Sequence, residues 1–213
     1  MIRLENIGHK YKKDDSFTVK NISFEINFGE CVGLTGQSGC GKSTIGSIVA
    51  GHIKPTKGRI IVDNEDLTGK TGRNIFLMHQ EFDLFPWQKV EKQILFALEK
   101  KNLDKAKELL DLVRLNGFEN YYPNQLSGGM KKRLSLARAL AINPKLLVLD
   151  ESFSSLDSNL KDFLYEDLRN IWKITKTTIL LITHDSKDLD NLAQREIRLT
   201  SKKPTTILDI KNI

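Results

Sequence analysis

The segment "GQSGCGKST" at residues 36–44 constrains the fold of this chain more than any other stretch. It matches the pattern G-x-x-x-x-G-K-[ST] through Gly36, Gly41, Lys42 and Ser43, and it separates the apolar run "CVGLT" from the helical pattern "KSTIGSIVAG". Glycines at these positions let successive backbone N–H groups converge on phosphate oxygens at the start of a helix. The sequence therefore predicts a strand, a phosphate-binding loop and a helix, in that order.

Two side chains of this loop have the chemistry that a nucleotide requires. Lys42 can reach the β- and γ-phosphates, and the Ser43 hydroxyl can coordinate Mg²⁺. We therefore expect a nucleotide and Mg²⁺ to bind here.

Three apolar runs end in polar residues. "LLVLDE" ends in Asp150 and Glu151, "IFLMHQ" ends at Gln80, and "TILLITHD" contains His184 near its end. Ligands of open α/β sheets bind beyond the carboxyl ends of the strands, so Asp150 is predicted to bind Mg²⁺ and Glu151 to act as general base. Gln80 is predicted to orient Mg²⁺ or water, and His184 to contact the γ-phosphate. Each run alone is typical of an ordinary strand end, but together with the phosphate loop they favour a catalytic site.

Strand-like patterns occupy both ends of the chain. Residues 1–63 read as short strands, including "ISFEINF", in which apolar residues alternate through Phe28. Apolar strands return at 146–150 and 177–183, with a helical pattern between them. This alternation predicts an α/β fold.

The middle of the chain, residues 80–143, has helical periodicity instead. We therefore predict one domain over 1–213, of the P-loop NTPase kind. Its nucleotide-binding core spans 1–79 and 144–213 and includes an N-terminal antiparallel β subdomain, and residues 80–143 form an inserted helical subdomain.

A second glycine-rich helix start lies inside this helical segment, in "QLSGGMKKRLSLARAL". Ser127 is a predicted N-cap, and Gly128 and Gly129 leave backbone N–H groups of the first turn uncovered. The sequence thus predicts two anion-binding helix starts in one small protein.

Composition and charge limit the partners. The net charge is +6, but the basic residues are scattered in short clusters, which favours a solvated surface over a nucleic-acid site. The N-terminal residues lack the apolar run of a signal peptide, and no apolar stretch approaches the roughly 18 residues of a membrane-spanning helix. We expect a cytoplasmic protein that reaches the membrane only through a partner.

In this order the motifs resemble the ATPase subunit of an ABC transporter: Walker A "GQSGCGKST", the Q-loop Gln80, signature "LSGGM", Walker B "LLVLDE", D-loop "SSLD" and the switch His184. The resemblance covers essentially the whole chain. It implies that ATP is bound and hydrolysed to ADP and phosphate. It also implies a head-to-tail dimer, in which Ser127, Gly128 and Gly129 cap the γ-phosphate bound by the partner copy.

The resemblance assigns further residues one by one. Tyr11 would stack on adenine, Thr44 would hold the α-phosphate, and Asp157 would couple the two sites of the dimer. Alternatively, Tyr11 is an ordinary surface tyrosine, and the "SLD" that contains Asp157 is a pattern common at helix starts. The resemblance also implies that Ser38, Gly39 and Cys40 of the loop bind the nucleotide.

Three positions depart from the usual family pattern: Met130 replaces Gln in the signature, Ser152 replaces Pro after Walker B, and Cys40 replaces a common Ser. The first two departures remove no catalytic atom. The Cys40 thiol lies at a helix N-terminus, so its oxidation or alkylation is expected to block ATP binding, unless Cys40 is only a tolerated small residue.

The segment after the Q-loop contains three aromatic residues, Phe82, Phe85 and Trp87. In the family this region receives a helix of the membrane-spanning partner, and aromatic anchors suit such a contact. Alternatively, some of the three fill the subdomain core. "PW" together with "LSGGM" is similar to importers for nitrate, sulfonates and taurine.

The function implied by the resemblance is that of the ATP-hydrolysing subunit of an ABC membrane transporter, with import favoured over export. Its expected partners are a separate permease, a second copy or a homologous ATPase subunit, and a solute-binding protein through the complex, at the inner face of the cell membrane. The alternatives are the ATPase of an exporter and a soluble ABC ATPase acting on nucleic acid or ribosomes. We expect no direct nucleic-acid contact.

Overall fold

A computed structural model describes residues 1–12, 15–79, 83–151 and 158–213. The described residues form two compact units. The first comprises Met1–Leu77, Lys145–Glu151 and Lys176–Ile213, and the second comprises the described parts of Met78–Pro144 and Ser152–Thr175. The boundaries at 79/80 and 143/144 predicted for the helical insertion stay a prediction.

The first unit contains an antiparallel sheet of four strands in the order β2-β1-β4-β5. The strands are β1 (Ile2–His9), β2 (Val19–Ile26), β4 (Lys57–Val62) and β5 (Glu65–Asp66). Alternation in β2 buries Ile22, Phe24 and Ile26, which confirms the predicted period of two. Phe28 does not continue it, because β2 ends at Ile26 and the Phe28 side chain is exposed.

A second sheet has six strands in the order β10-β9-β3-β8-β7-β6. Its strands are β3 (Cys31–Thr35), β6 (Ile75–Met78), β7 (Leu146–Asp150), β8 (Ile179–Ile182), β9 (Arg195–Leu199) and β10 (Ile207–Asn212). β3 pairs in parallel with β8 and β9, β7 pairs in parallel with β8, and β10 is antiparallel to β9. The carboxyl ends of β3, β7 and β8 therefore lie at one edge.

Helix α1 (Lys42–Val49) follows β3 and packs closely on this sheet. A Cβ atom added at Gly46 would lie 2.6 Å from Cδ1 of Ile182, so glycine permits the close approach of α1 to β8. Ile45 and Ile48 belong to the apolar core that joins both sheets. A short helix, α6 (Ser186–Leu192), follows β8.

The second unit is helical. It contains α2 (Val90–Ala97), α3 (Leu103–Leu112), α4 (Gly128–Ile142) and α5 (Ser158–Thr175). Asn102 caps α3 by accepting a hydrogen bond from the Lys105 N–H, and Asn143 ends α4 in the left-handed conformation just before Pro144. The predicted α/β class with an N-terminal antiparallel sheet and a helical part is thus confirmed.

Candidate active site

The loop between β3 and α1 has the backbone geometry of an anion site. Gly39 and Gly41 adopt φ values of 76° and 106°, in the region that favours glycine. A Cβ at Gly41 would also lie 2.9 Å from Cγ1 of Val19. Gly41 is the N-cap of α1, and within the described residues no side chain caps this helix. The N–H groups of the first turn therefore remain available to an anion.

Lys42 is held inside this loop. Its side chain is almost fully buried, and Nζ donates hydrogen bonds to the backbone oxygens of Gly36 at 2.9 Å and Gln37 at 3.1 Å. Nζ also lies 3.9 Å from Oε1 of Glu151. A buried cation at a helix N-terminus provides a concentrated positive charge, which suits the multiply charged end of a nucleotide.

Ser43 and Asp150 meet although they are far apart in sequence. Asp150 is the last residue of the fully buried strand β7, and its Oδ1 accepts a hydrogen bond from Ser43 Oγ at 3.2 Å. A hydroxyl and a carboxylate side by side are hard oxygen donors of the kind that Mg²⁺ prefers. The predicted pair of metal ligands is thus brought together.

Glu151 and His184 lie at the ends of β7 and β8. Glu151 has a left-handed backbone with φ 45°, and its N–H donates to the oxygen of Ile182 at 2.9 Å. His184 Nδ1 lies 3.3 Å from Glu151 Oε1. The strained residue directs its carboxylate toward the imidazole and the Lys42 amine, which makes it a candidate general base.

The turn that carries His184 is fixed by its neighbours. Thr183 Oγ1 donates to Oδ2 of the buried Asp188 and accepts from the Asp185 N–H at 3.0 Å. Asp185 then caps α6 by accepting from the Lys187 N–H at 3.0 Å. Hydrogen bonds on both sides of His184 therefore set its position at the sheet edge.

The remaining loop residues differ in exposure. Ser38 and Gly39 are exposed at the tip of the loop, whereas Cys40 is only 2% exposed and packs in the apolar core. Inhibition by modification of that buried thiol stays a prediction. Tyr11 is brought to Thr44, with their hydroxyl oxygens 3.1 Å apart.

Similarity to known proteins agrees with this geometry. Residues 19–154 match the family described as "ABC transporter". The chain belongs to that family. The aliphatic sulfonates import ATP-binding protein SsuB of Bacillus thuringiensis subsp. konkukian is 42% identical over 199 residues, covering 91% of this chain and 79% of the relative. The nitrate import ATP-binding protein NrtD of Synechocystis sp. is 41% identical over 202 residues, covering 92% and 75%.

A solved dimeric ATP-binding cassette in a post-hydrolysis state, bound to ADP and Pi, is 28% identical to this ABC chain. The match has a TM-score of 0.82 and covers 100% of this chain and 98% of that one. The resemblance to ABC ATPases and to the nitrate and sulfonate group is thereby confirmed, as is the fold. In the part of the chain that the structure describes, no helix is long and apolar enough to cross a membrane.

The ABC signature lies in the second unit, at the start of α4. Ser127 is the N-cap, and its Oγ accepts a hydrogen bond from the Met130 N–H at 3.3 Å. Ser127 and Gly128 are exposed, and a Cβ at Gly128 would meet no described atom within 4 Å. Gly129 is buried. The helix start is therefore open to a ligand from outside this chain.

Farther along the signature helix, a buried ion cluster ties α4 to α5. Asp167 is 5% exposed, and its carboxylate lies 2.7 Å from Nη2 of Arg133 and 3.0 Å from Nη2 of Arg114. On the same helix, the buried Lys132 donates to the oxygen of His79 at 3.3 Å. Burial lowers the pKa of Lys132 to about 8. Neither buried charge was predicted, because helical patterning does not reveal which polar residues face another helix.

Of the described aromatic residues after the Q-loop, Phe85 packs against its neighbours and Trp87 is exposed. Phe85 packs edge-on against Phe96 with ring centroids 5.2 Å apart, and the Arg138 guanidinium lies 4.6 Å from the Phe85 centroid. The Trp87 ring lies 5.6 Å from Phe85 and is 72% exposed, and Phe96 is 64% exposed. We call Phe85, Trp87 and Phe96 the aromatic patch. Phe82, which was predicted to act with Phe85 and Trp87, lies outside the described residues.

Three other predicted positions, Gln80, Ser152 and Asp157, also lie outside the described residues. Their roles stay predictions.

The sequence did not predict a polar cluster that lies beside the phosphate loop. Glu196 in β9 is 3% exposed, accepts a hydrogen bond from Thr35 Oγ1 at 2.6 Å, and pairs with Lys211 and Arg198. Burial opposes ionisation of Glu196, but the hydrogen bonds from these partners outweigh it, so its pKa lies below the usual glutamate value. A cavity of about 570 Å³ beside the cluster is lined partly by Gln37 and His184. The only signal in the sequence was one glutamate in the apolar and basic run "REIRL".

Proposed function

We propose that this chain is the ATP-hydrolysing subunit of an ABC importer. The observation that carries the proposal is the meeting of five polar side chains at the carboxyl ends of β3, β7 and β8. They are Lys42, Ser43, Asp150, Glu151 and His184. Phosphoryl transfer needs mainly positioned charge and an oriented nucleophile, and this set offers both.

The phosphates of ATP would bind to the N–H groups of the loop, with Lys42 on the β- and γ-phosphates. Glu151 would then accept a proton from the water that attacks the γ-phosphorus. His184 touches the Glu151 carboxylate at 3.3 Å, so it can hold this base in place and contact the γ-phosphate. Gln80 is proposed to orient the same water.

The Ser43 hydroxyl and the Asp150 carboxylate would hold Mg²⁺, with Gln80 as a third proposed ligand. Bound Mg²⁺ supplies positive charge that offsets the negative charge of the β- and γ-phosphates. The fit rests on the two oxygen donors being hydrogen-bonded neighbours at the phosphate loop.

Two copies are proposed to enclose ATP, each presenting Ser127, Gly128 and Gly129 to the nucleotide of the other. The open start of α4 supports this arrangement, and a related cassette was solved as a dimer bound to ADP and Pi. Asp157 is proposed to link the two sites.

The partner in the membrane is proposed to be a separate permease that docks on the aromatic patch. An exposed Trp beside a packed Phe is the composition of an interface anchor. Import is supported by relatives named for the import of sulfonates and nitrate, and a solute-binding protein would then join through the permease. The subunit would work at the cytoplasmic face of the membrane.

Hydrolysis is tested by phosphate release from Mg-ATP. We expect the purified chain to release phosphate and the Glu151→Gln variant to lose at least about 100-fold in rate while still binding ATP. The Glu108→Gln variant is a matched control, because this exposed glutamate lies in α3 of the other unit. Equal rates in the wild type and Glu151→Gln would refute the assignment of the base.

Transport is tested by affinity purification of the chain from detergent-solubilised membranes of its source cell. We expect a polytopic permease to co-purify with the wild type and with Ile174→Ala, but not with Trp87→Ala. Ile174 is as exposed as Trp87, at 70% against 72%, so it controls for loss of an exposed apolar side chain. Recovery of ribosomal proteins or nucleic acid without a permease would favour a soluble ABC ATPase instead.

A further inference from the structure

The contact between Tyr11 and Thr44 joins two elements that are remote in sequence. Tyr11 follows the end of β1, and Thr44 lies in the first turn of α1, directly after Lys42 and Ser43. Their hydroxyl oxygens are 3.1 Å apart, which is a hydrogen-bond distance, and either hydroxyl can be the donor. The Tyr11 hydroxyl thus reaches the phosphate-binding turn itself.

The Tyr11 ring contacts a neighbouring aromatic ring. The His9 ring meets it edge-on, with centroids 4.8 Å apart and an interplanar angle of 88°. His9 is itself buried at the end of β1, where its backbone oxygen accepts from the Thr18 N–H at 2.9 Å. Tyr11 remains 41% exposed, so part of its ring stays available to a nucleotide base while its hydroxyl stays at Thr44.

The number of available protons decides which of the two hydroxyls donates this hydrogen bond when phosphate is bound. A threonine hydroxyl has one proton and two lone pairs, and phosphate oxygens only accept. If Thr44 donated to Tyr11, it would have no proton left for a phosphate. If Tyr11 donates to Thr44, the Thr44 proton is free to point at the anion, and every group is satisfied.

We infer that Tyr11 is a positioning residue for phosphate binding: its hydroxyl donates to Thr44 Oγ1 and directs the Thr44 proton toward a nucleotide phosphate. This role is separate from stacking on the base, and it rests on the proposed binding of ATP at this loop. The consequence is that removing the Tyr11 hydroxyl weakens nucleotide binding through Thr44, whichever base the nucleotide carries.

Calorimetric titration with Mg-ATP and Mg-GTP tests the inference in a double-mutant cycle. The variants are Tyr11→Phe, Thr44→Val and the combination of the two. Tyr11→Phe keeps the ring and should raise Kd about two- to ten-fold, by the same factor for ATP and GTP. In the Thr44→Val background the same change should have almost no effect, because the hydroxyl that it orients is gone. In the Thr44→Ser background the effect of Tyr11→Phe should return.

Tyr121→Phe is the matched control, since Tyr121 is also 41% exposed but lies in the helical unit, and it should leave Kd unchanged. Three results would overturn the inference. The first is that the increases in Kd caused by Tyr11→Phe and Thr44→Val multiply in the double variant. The others are an increase in Kd for only one of the two nucleotides, and an unchanged or lower Kd for Tyr11→Phe. Failure of the wild type to bind either nucleotide would instead overturn the proposed function, so the two failures are distinguishable.

Discussion

The starts of α1 and α4 use the same local physics in different surroundings. Both helices begin at glycines that expose backbone N–H groups. At α1 the loop encloses a buried lysine, and acidic and basic side chains from β7 and β8 lie beside it. At α4 the Ser127 hydroxyl caps one N–H, and a Cβ on Gly128 would meet no described atom within 4 Å. The first site is equipped to bind and hydrolyse, whereas the second suits an anion that another chain holds.

The largest expected effect concerns the buried cation at α1. Lys42→Met keeps most of the side-chain volume but removes the charge aimed at the phosphates, so hydrolysis should fall by about 100-fold or more. The rate of phosphate release from Mg-ATP measures this loss of hydrolysis. Lys20→Ala removes an exposed lysine of β2 and should leave the rate unchanged. A Lys42→Met variant with near wild-type turnover would show that α1 is not the catalytic site.

At α4, Gly128→Asp should separate hydrolysis from binding. An aspartate at the first turn fits sterically and favours the helix, but its charge repels a phosphate brought by a partner copy. We expect the Kd for ATP to stay unchanged while the rate of hydrolysis falls about 100-fold. Gly72→Asp is the matched control, because a Cβ there also meets no described atom within 4 Å. Weakened ATP binding by Gly128→Asp alone would mean that α4 serves its own nucleotide.

A smaller effect is expected at the ion cluster that ties α4 to α5. Asp167→Asn removes the charge between Arg133 and Arg114, so the free energy of unfolding should fall by about 2 kcal/mol. Urea titration measures it. Asp209→Asn, on the exposed strand β10, should change it little. If Asp167→Asn proved as stable as the wild type, the cluster would not anchor the signature helix.

The smallest effect concerns Cys31, the buried first residue of the strand that leads into the α1 loop. Burial raises the pKa of Cys31 from 9.0 to about 12. Above pH 9 the unfolded chain releases this proton while the folded chain keeps it, so stability falls with rising pH between 9 and 12. At pH 10 the loss should be about 1 kcal/mol.

The comparison of wild type with Cys31→Ala isolates this contribution, since every other titrating group is shared. Urea titrations at pH 7 and pH 10 should show a smaller decrease in the variant. Identical decreases would indicate that Cys31 ionises in the folded protein as easily as in the unfolded chain.

Much of the core and of the α1 site could be predicted because their signals are local. The order of strand, loop and helix follows from "GQSGCGKST", and the strands ending at Asp150 and before His184 are buried apolar runs. Parallel pairing then brings their ends to one edge. The alternating pattern wrongly included Phe28 in the strand, because β2 ends at Ile26.

What sequence could not supply depends on contacts between distant segments. The strands β9 and β10 carry charged residues, which interrupt the apolar pattern typical of strands. Glu196 can be buried because its carboxylate is hydrogen-bonded or ion-paired with Thr35, Arg198 and Lys211. Similarly, the burial of Lys132 in α4 depends on the packing of that helix, which the sequence pattern does not reveal. Pairing of this kind is a property of the tertiary structure.

The molar mass of Glu151→Gln with Mg-ATP, measured by light scattering after size-exclusion chromatography, tests the central claim most directly. If the α4 start of one copy caps the nucleotide of another, this variant should be a dimer with ATP and a monomer with ADP. The combination of Glu151→Gln with Gly128→Asp should be a monomer with either nucleotide. A Glu151→Gln protein that binds ATP yet stays monomeric over the full concentration range would contradict the claim that the two anion sites belong to one shared nucleotide.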